Sequence, residues 1–275
     1  FRSERIREFR LNFLKSGNLD LKNALNSQAF FIGLEKLKSL ELFELTMCDS
    51  IYGITYESND KKKKYYSYFI KRCLARLTTS LKHLSVEAPI SKEPDENLFK
   101  LVYTFKNLES LDLNLNTSVS KEIMSHRTKQ YQKIKKLRLY DSLSFLMGLT
   151  NSSFEQIENL SLLVLEPNGD ITIIDLLDKI LLMKNLEALE IFFFPRKADK
   201  KLVAERIVEL FRTLNRLQEL KFITSFFSVE MNDLINIYNH LKWNSRLTTA
   251  IISFKDVSIR RRVNSVAYIK YEDIE

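Results

Sequence analysis

Leu186-Glu187-Ala188-Leu189-Glu190-Ile191 carries three apolar side chains separated by two residues and then by one. The same spacing recurs at Ile6-Phe9-Leu11, Leu37-Leu40-Leu42, Leu81-Leu84-Val86, Leu108-Leu111-Leu113, Ile134-Leu137-Leu139, Ile157-Leu160-Leu162 and Leu217-Leu220-Phe222, with a weaker copy at Leu247-Ala250-Ile252. The first positions are 31, 44, 27, 26, 23, 29, 31 and 30 residues apart. One such match arises by chance in any leucine-rich chain. A whole series near a constant period is the signature of a repeat architecture.

The segments between copies have helical spacing. Pro94 opens a run through Leu98, Leu101, Val102 and Phe105, with proline placed in a first turn. Asp170 precedes Ile173, Ile174, Leu177, Ile180 and Leu181; Asp199 precedes Leu202, Val203, Ile207, Leu210 and Phe211; Ser228 precedes Met231, Leu234, Ile235, Tyr238 and Leu241. An Asp or Ser in that place offers a side-chain oxygen to the free N–H groups of the first turn. Each unit therefore reads as a short strand followed by an amphipathic helix that leads to the next strand.

Ordering a repeat of this length costs roughly 1–2 kcal/mol of backbone entropy per residue. Three buried strand side chains return only about 1.5–3 kcal/mol each. A single repeat cannot fold alone, and stacked neighbours must share a continuous core. Right-handed crossovers then put the strands in one parallel sheet on a concave face, with the helices outside. The expected fold class is α/β, in one repeat domain of eight or nine repeats over residues 1–275.

Across nearly its whole length the chain resembles the leucine-rich-repeat superfamily, and its long, helix-containing period is most similar to the ribonuclease-inhibitor and F-box-associated classes. The resemblance implies a solenoid with a non-catalytic role in protein interaction. In the F-box-associated form, that role is substrate recognition for a ubiquitin-ligase adaptor. The superfamily pattern carries Asn or Cys three residues after the last apolar position, and here only Asn116 fits. Leu14, Leu45, Pro89, Ser142, Leu165, Phe194 and Ser225 stand in the other places. An irregular, divergent array is expected.

Composition removes several classes of function. With 5 Gly in 275 residues, the chain has neither a GxxxxGK[ST] nor a GxGxxG loop. His83, His126 and His240 lack a second His or Cys at metal-ligand spacing, and the carboxylates are scattered. No enzyme, cofactor or metal is expected. No apolar run approaches 18 residues and no signal peptide is visible, so no membrane partner is expected. Two cysteines, Cys48 and Cys73, make no disulfide framework and favour an intracellular setting, cytoplasm or nucleus. The chain begins with Phe1, so it is expected to be part of a longer protein.

A partner surface is the remaining question. Alternate strand residues point away from the core. The residues between the last two apolar positions are Arg10, Glu41, Ser85, Asp112, Arg138, Ser161, Glu190 and Lys221, a row that changes sign repeatedly. The next outward row is Asn12, Phe43, Glu87, Asn114, Tyr140, Leu163, Phe192 and Ile223, which turns apolar towards the C-terminus, with Val164 and Phe193 at its rim. Apolar surface rimmed by charge marks interaction sites. The candidate protein-binding residues are therefore Arg138, Tyr140, Leu163, Glu190, Phe192, Phe193, Lys221 and Ile223. A one-residue shift of register would instead turn Phe192 or Phe193 into the core, because Ile191–Phe194 is unbroken apolar sequence.

The formal charge of +8 motivates a second reading, a nucleic-acid-associated repeat protein such as a centromere or RNA-export component. Its candidate anion contacts are Lys61, Lys62, Lys63 and Lys64, in an insertion before a helix expected at Tyr66–Leu77, and Arg260, Arg261 and Arg262. The bland reading of these clusters is a solvated insertion and a polar terminal cap. A third reading is a bacterial effector that grips a host protein.

Overall fold

The computed structural model describes residues 6–12, 27–47, 60–77, 80–88, 101–102, 104–114, 133–140, 146, 149, 154–164, 172–194, 199–224, 230–255, 257–261 and 268–271. The chain is α/β and divides into two compact units: Phe1–Ile134 with Ser144–Leu149, and Lys135–Leu143 with Thr150–Glu275.

The N-terminal unit contains strands β1 (Glu8–Asn12), β2 (Leu42–Thr46), β3 (His83–Glu87) and β4 (Ser110–Asn114). These pair in sequence order, all parallel. Helix α1 (Gln28–Glu35) lies between β1 and β2, and α2 (Asp60–Leu74) between β2 and β3. The C-terminal unit contains β5 (Lys136–Tyr140), β6 (Asn159–Val164), β7 (Ala188–Phe193), β8 (Glu219–Ile223) and β9 (Thr249–Ser253), again parallel neighbours in order. Helices α3 (Ile173–Ile180), α4 (Lys200–Thr213) and α5 (Met231–Trp243) connect β6 through β9. Two further strands, β10 (Val257–Arg261) and β11 (Tyr268–Tyr271), add antiparallel to β9 and to each other.

The expected apolar rows are present. Leu137, Leu160, Leu189 and Leu220 are register partners on β5 to β8, and none is more than 3% exposed. Ala250 continues the row on β9. In the N-terminal unit the row runs Phe9, Phe43, Leu84, Leu111. The second repeat is therefore framed as Leu40-Phe43-Leu45, not Leu37-Leu40-Leu42. Phe43 and Leu45 are fully buried, Leu42 is half-buried, and Phe43 stacks on Phe9 with centroids 6.0 Å apart. Glu44 and Thr46 consequently replace Glu41 and Phe43 in the outward rows.

The cause of the misframing is a turn of three-residue period. Leu40 N–H donates to Leu37 O, and Leu37 N–H to Leu34 O. The same steps recur at Leu186, Met183 and Ile180, and at Leu108, Phe105 and Val102. Buried side chains then fall every third residue, as a 3₁₀ descent requires, and switch to every second residue only inside the strand. A series at 34, 37, 40 and 43 fits the motif in more than one frame. Only its continuation through Leu45 and Met47 fixes the frame.

Each strand entry repeats one backbone device. The carbonyl of Glu158 accepts from the N–H groups of Glu187 and Ala188, at 2.7 and 3.1 Å; that of Glu187 accepts from Gln218 and Glu219; that of Gln218 from Thr248 and Thr249. Arg7, Glu41 and Lys82 do the same in the N-terminal unit. Side chains stitch the same edge: Asn185 Nδ2 donates to Glu155 O, Arg246 Nη1 to Asn215 Oδ1, and Lys133 Nζ to Asn107 Oδ1.

The helix starts differ in detail from expectation. Asp199 caps α4 through Leu202 N–H as expected, but Thr172 caps α3, in a reciprocal box with Asp175. Asp170 and Ser228 lie outside the described residues. Helix α2 begins at Asp60 and ends at Leu74, so Lys61–Lys64 form its first turn rather than an insertion before a Tyr66–Leu77 helix. Of the helix expected after Pro94, Leu101 and Val102 are described as helical.

Replacing Phe43 with alanine should cost about 3–5 kcal/mol in urea unfolding, and Leu42→Ala distinctly less. The reverse order would restore the Leu37-Leu40-Leu42 frame.

Candidate functional site

The outward face of the C-terminal unit brings seven of the eight expected contact residues together. Strand register aligns Arg138, Ser161, Glu190, Lys221 and Ile251 in one row, and Tyr140, Leu163, Phe192, Ile223 and Ser253 in the next. Neighbouring strands lie about 4.8 Å apart, so equivalent side chains make continuous stripes. Tyr140, Leu163, Phe192, Ile223 and Ile251 are all half-buried, and Arg138 is exposed. These side chains project from a rigid sheet rather than from a loop.

Phe193 is the exception. It is 1% exposed and faces the core, in register with Val164, which is equally buried. Both were expected at the rim, and both are corrected by the period of the strand. Leu189, Ile191 and Phe193 alternate with Glu190 and Phe192, so the inward face continues one position past the repeat motif. Thr224 and Phe254 hold the same third inward place in the next two repeats.

Electrostatics tie the two outward rows together. Lys221 Nζ donates to Glu190 Oε1 at 2.8 Å, and Ser161 Oγ donates to Glu190 Oε2 at 2.9 Å. The same ammonium lies 4.4 Å from the centroid of the Phe192 ring. A cation so placed is attracted by the ring face, by about 0.5–1 kcal/mol at an exposed site. Burial pushes the Glu190 carboxyl up, but the hydrogen bonds from Lys221 and Ser161, with the charges of Lys221 and Arg138, outweigh it and hold the group below its ordinary value. Lys221 thus occupies one side of Phe192, and the continuous apolar edge is formed by Tyr140, Leu163, Ile223 and the rest of Phe192.

Ile251 was missed as a candidate. Its signal was present, since it sits between the last two apolar positions of the weak copy Leu247-Ala250-Ile252.

The N-terminal unit presents a different outward face. Arg10, Glu44, Ser85 and Asp112 share one register row there, with Glu87 in the next, and Arg10 Nε lies 3.4 Å from Glu44. The candidate anion contacts are divided between the two units. Lys61–Lys64 belong to the first turn of α2 in the N-terminal unit. Arg260 and Arg261 lie on β10 in the C-terminal unit, and Arg262 lies outside the described residues.

Among the described residues no three His, Cys, Asp or Glu side chains gather as metal ligands. Burial pushes the Cys73 thiol up to about 12, against the opposing charges of Arg72 and Arg76, so it stays protonated. No described helix is long and apolar enough to cross a membrane. No protein-family model matches the chain, and no curated protein matches it.

Two measurements check this geometry. Phe193→Ala should cost about 3–5 kcal/mol of stability and Phe192→Ala much less; equal losses would return Phe192 to the core. Because the folded Glu190 is shifted down, its contribution to stability is present above the unfolded value and is lost as pH falls through the folded one. In a carboxyl NMR titration the Glu190 midpoint should lie below the ordinary glutamate value and rise in Lys221→Met. An unmoved midpoint would remove the Lys221 contact.

Proposed function

We propose that the chain is a leucine-rich-repeat solenoid that captures another protein on the outward sheet face of its C-terminal unit, and that it is not an enzyme. The observation that carries this reading is the alignment of Tyr140, Leu163, Phe192 and Ile223 on four successive strands, beside the Arg138–Ser161–Glu190–Lys221 row. A half-exposed apolar stripe flanked by ordered charge is the usual composition of a protein-binding centre. Among the described side chains of this face Lys136, Arg138, Lys221 and Arg260 outnumber Glu190 and Glu219, which favours a partner segment that couples apolar side chains with carboxylates. The apolar contacts would supply affinity and the charges selectivity. The likeness to F-box-associated repeats makes substrate recognition for a ubiquitin-ligase adaptor the specific form of this proposal.

The alternation of sign along Arg138, Ser161, Glu190 and Lys221 argues against a phosphate track, which favours Lys and Arg throughout. The test is partner capture by the intact chain. Ile223→Ala and Phe192→Ala should each weaken it by about tenfold, equivalent to 1.4 kcal/mol, with the melting temperature nearly unchanged. A large drop in melting temperature with unchanged affinity would show that packing had been taken for a binding surface. Sub-micromolar DNA or RNA binding at physiological salt, lost on replacing Lys61–Lys64 or Arg260–Arg262, would overturn the proposal in favour of a nucleic-acid partner.

A further inference from the structure

Helix α5 has two flanks, and one of them is covered. On the covered flank, the guanidinium of Arg212 on α4 reaches His240 Nε2, with Nη2 at 2.9 Å and Nε at 3.2 Å. Arg212 belongs to the α4 stripe Lys201, Glu205, Val208 and Arg212, whose steps of four, three and four residues keep it on one side of a helix. Val208, in the middle of that stripe, is 3% exposed. This is the side that α4 turns towards its successor.

Thirty residues on, the same stripe of α5 is Met231, Ile235, Tyr238 and Lys242. It lies on the opposite side of the helix from His240. Among the described residues no helix follows to cover it, because β9 leads into the antiparallel strands β10 and β11. Met231 is 53% exposed and Ile235 is 45% exposed. The two positions are charged in α4, as Lys201 and Glu205, and apolar in α5. Tyr238 is half-buried and Lys242 exposed, with its ammonium 5.3 Å from the Trp243 ring. Apolar character thus increases on the flank where the stack of helices stops.

We propose that this flank of α5 docks an amphipathic helix from a second, different polypeptide, laid against α5 as α5 is laid against α4. Two observations define the occupant. The interface continues the α3–α4–α5 stack, so the incoming element is a helix with aliphatic side chains at three- and four-residue steps. The only charged member of the stripe is cationic, so the incoming helix carries a carboxylate opposite Lys242. In the existing stack, ionic or polar links join adjacent helices in the same way: Arg206 Nε to Asp178 Oδ1 at 2.7 Å between α4 and α3, and Arg212 to His240 between α4 and α5. This site is separate from the outward sheet face and does not depend on it.

The probe is a stapled helical peptide with leucines at successive steps of four and three residues and a glutamate four residues after the last leucine, titrated into the intact chain. Saturable one-to-one binding is expected, weakened by about tenfold in Ile235→Asp and again when the peptide glutamate is replaced by lysine. Ile223→Ser, on the outward sheet face, should leave it unchanged. Ile235 is surface-exposed and Ile223 half-buried, and circular dichroism with thermal melting of each variant verifies that the fold is retained. Absence of binding, or equal binding to Ile235→Asp, overturns the proposal. So does concentration-dependent dimerisation of the chain that Ile235→Asp abolishes, since a second copy would then cover the flank.

Discussion

Leu189 lies in register with Leu160 on one side and Leu220 on the other, and the rest of the C-terminal unit depends on contacts of that kind. No strand here has more than 6 residues, and none could hold its conformation alone. Each becomes ordered because an inward side chain meets its equivalent on both neighbours while the entry carbonyl accepts two N–H groups from the next repeat. The apolar contact supplies most of the free energy, and the paired N–H groups fix the register in which it is made. A slip of one residue would expose the whole inward set.

That constraint also creates the candidate binding face. Once Leu189, Ile191 and Phe193 point inward, Glu190 and Phe192 have no choice but to point out, and parallel register sets them beside Lys221 and Ile223. The polar network around Glu190 then needs no special backbone. It follows from three side chains at one register position on neighbouring strands, with the Phe192 ring beside them to turn its face to the Lys221 cation. Specific binding surfaces on repeat arrays arise cheaply for this reason: the inward residues hold the geometry while the outward ones vary independently.

Much of this was legible in the sequence, because burial follows spacing. The three-two spacing located the inward positions of β3 to β8, and alternation assigned Arg138, Tyr140, Leu163, Glu190, Phe192, Lys221 and Ile223 to one face. Three errors have physical causes. The second repeat was misframed because its approach turn also spaces apolar residues by three, and only the period-two run Phe43, Leu45, Met47 distinguishes strand from turn. Phe193 was placed at the rim because the motif ends at Ile191, although the strand does not. The start of α2 was missed because four lysines resemble a solvated loop, and charge alone does not prevent helix. Other features carried no signal in the repeat motif: the antiparallel turn of β10 and β11, and the stitching of the helix-to-strand edge through Asn185 and Arg246.

Hydrogen exchange on a Leu189→Ala variant probes the dependence on stacked neighbours most directly, because exchange reports the stability of each strand separately. In a one-dimensional array, coupling passes through adjacent repeats. The account predicts that amides of β6, β7 and β8 lose protection together, with a smaller loss in β9. Loss confined to β7, with β6 and β8 as protected as in the unaltered chain, would contradict it.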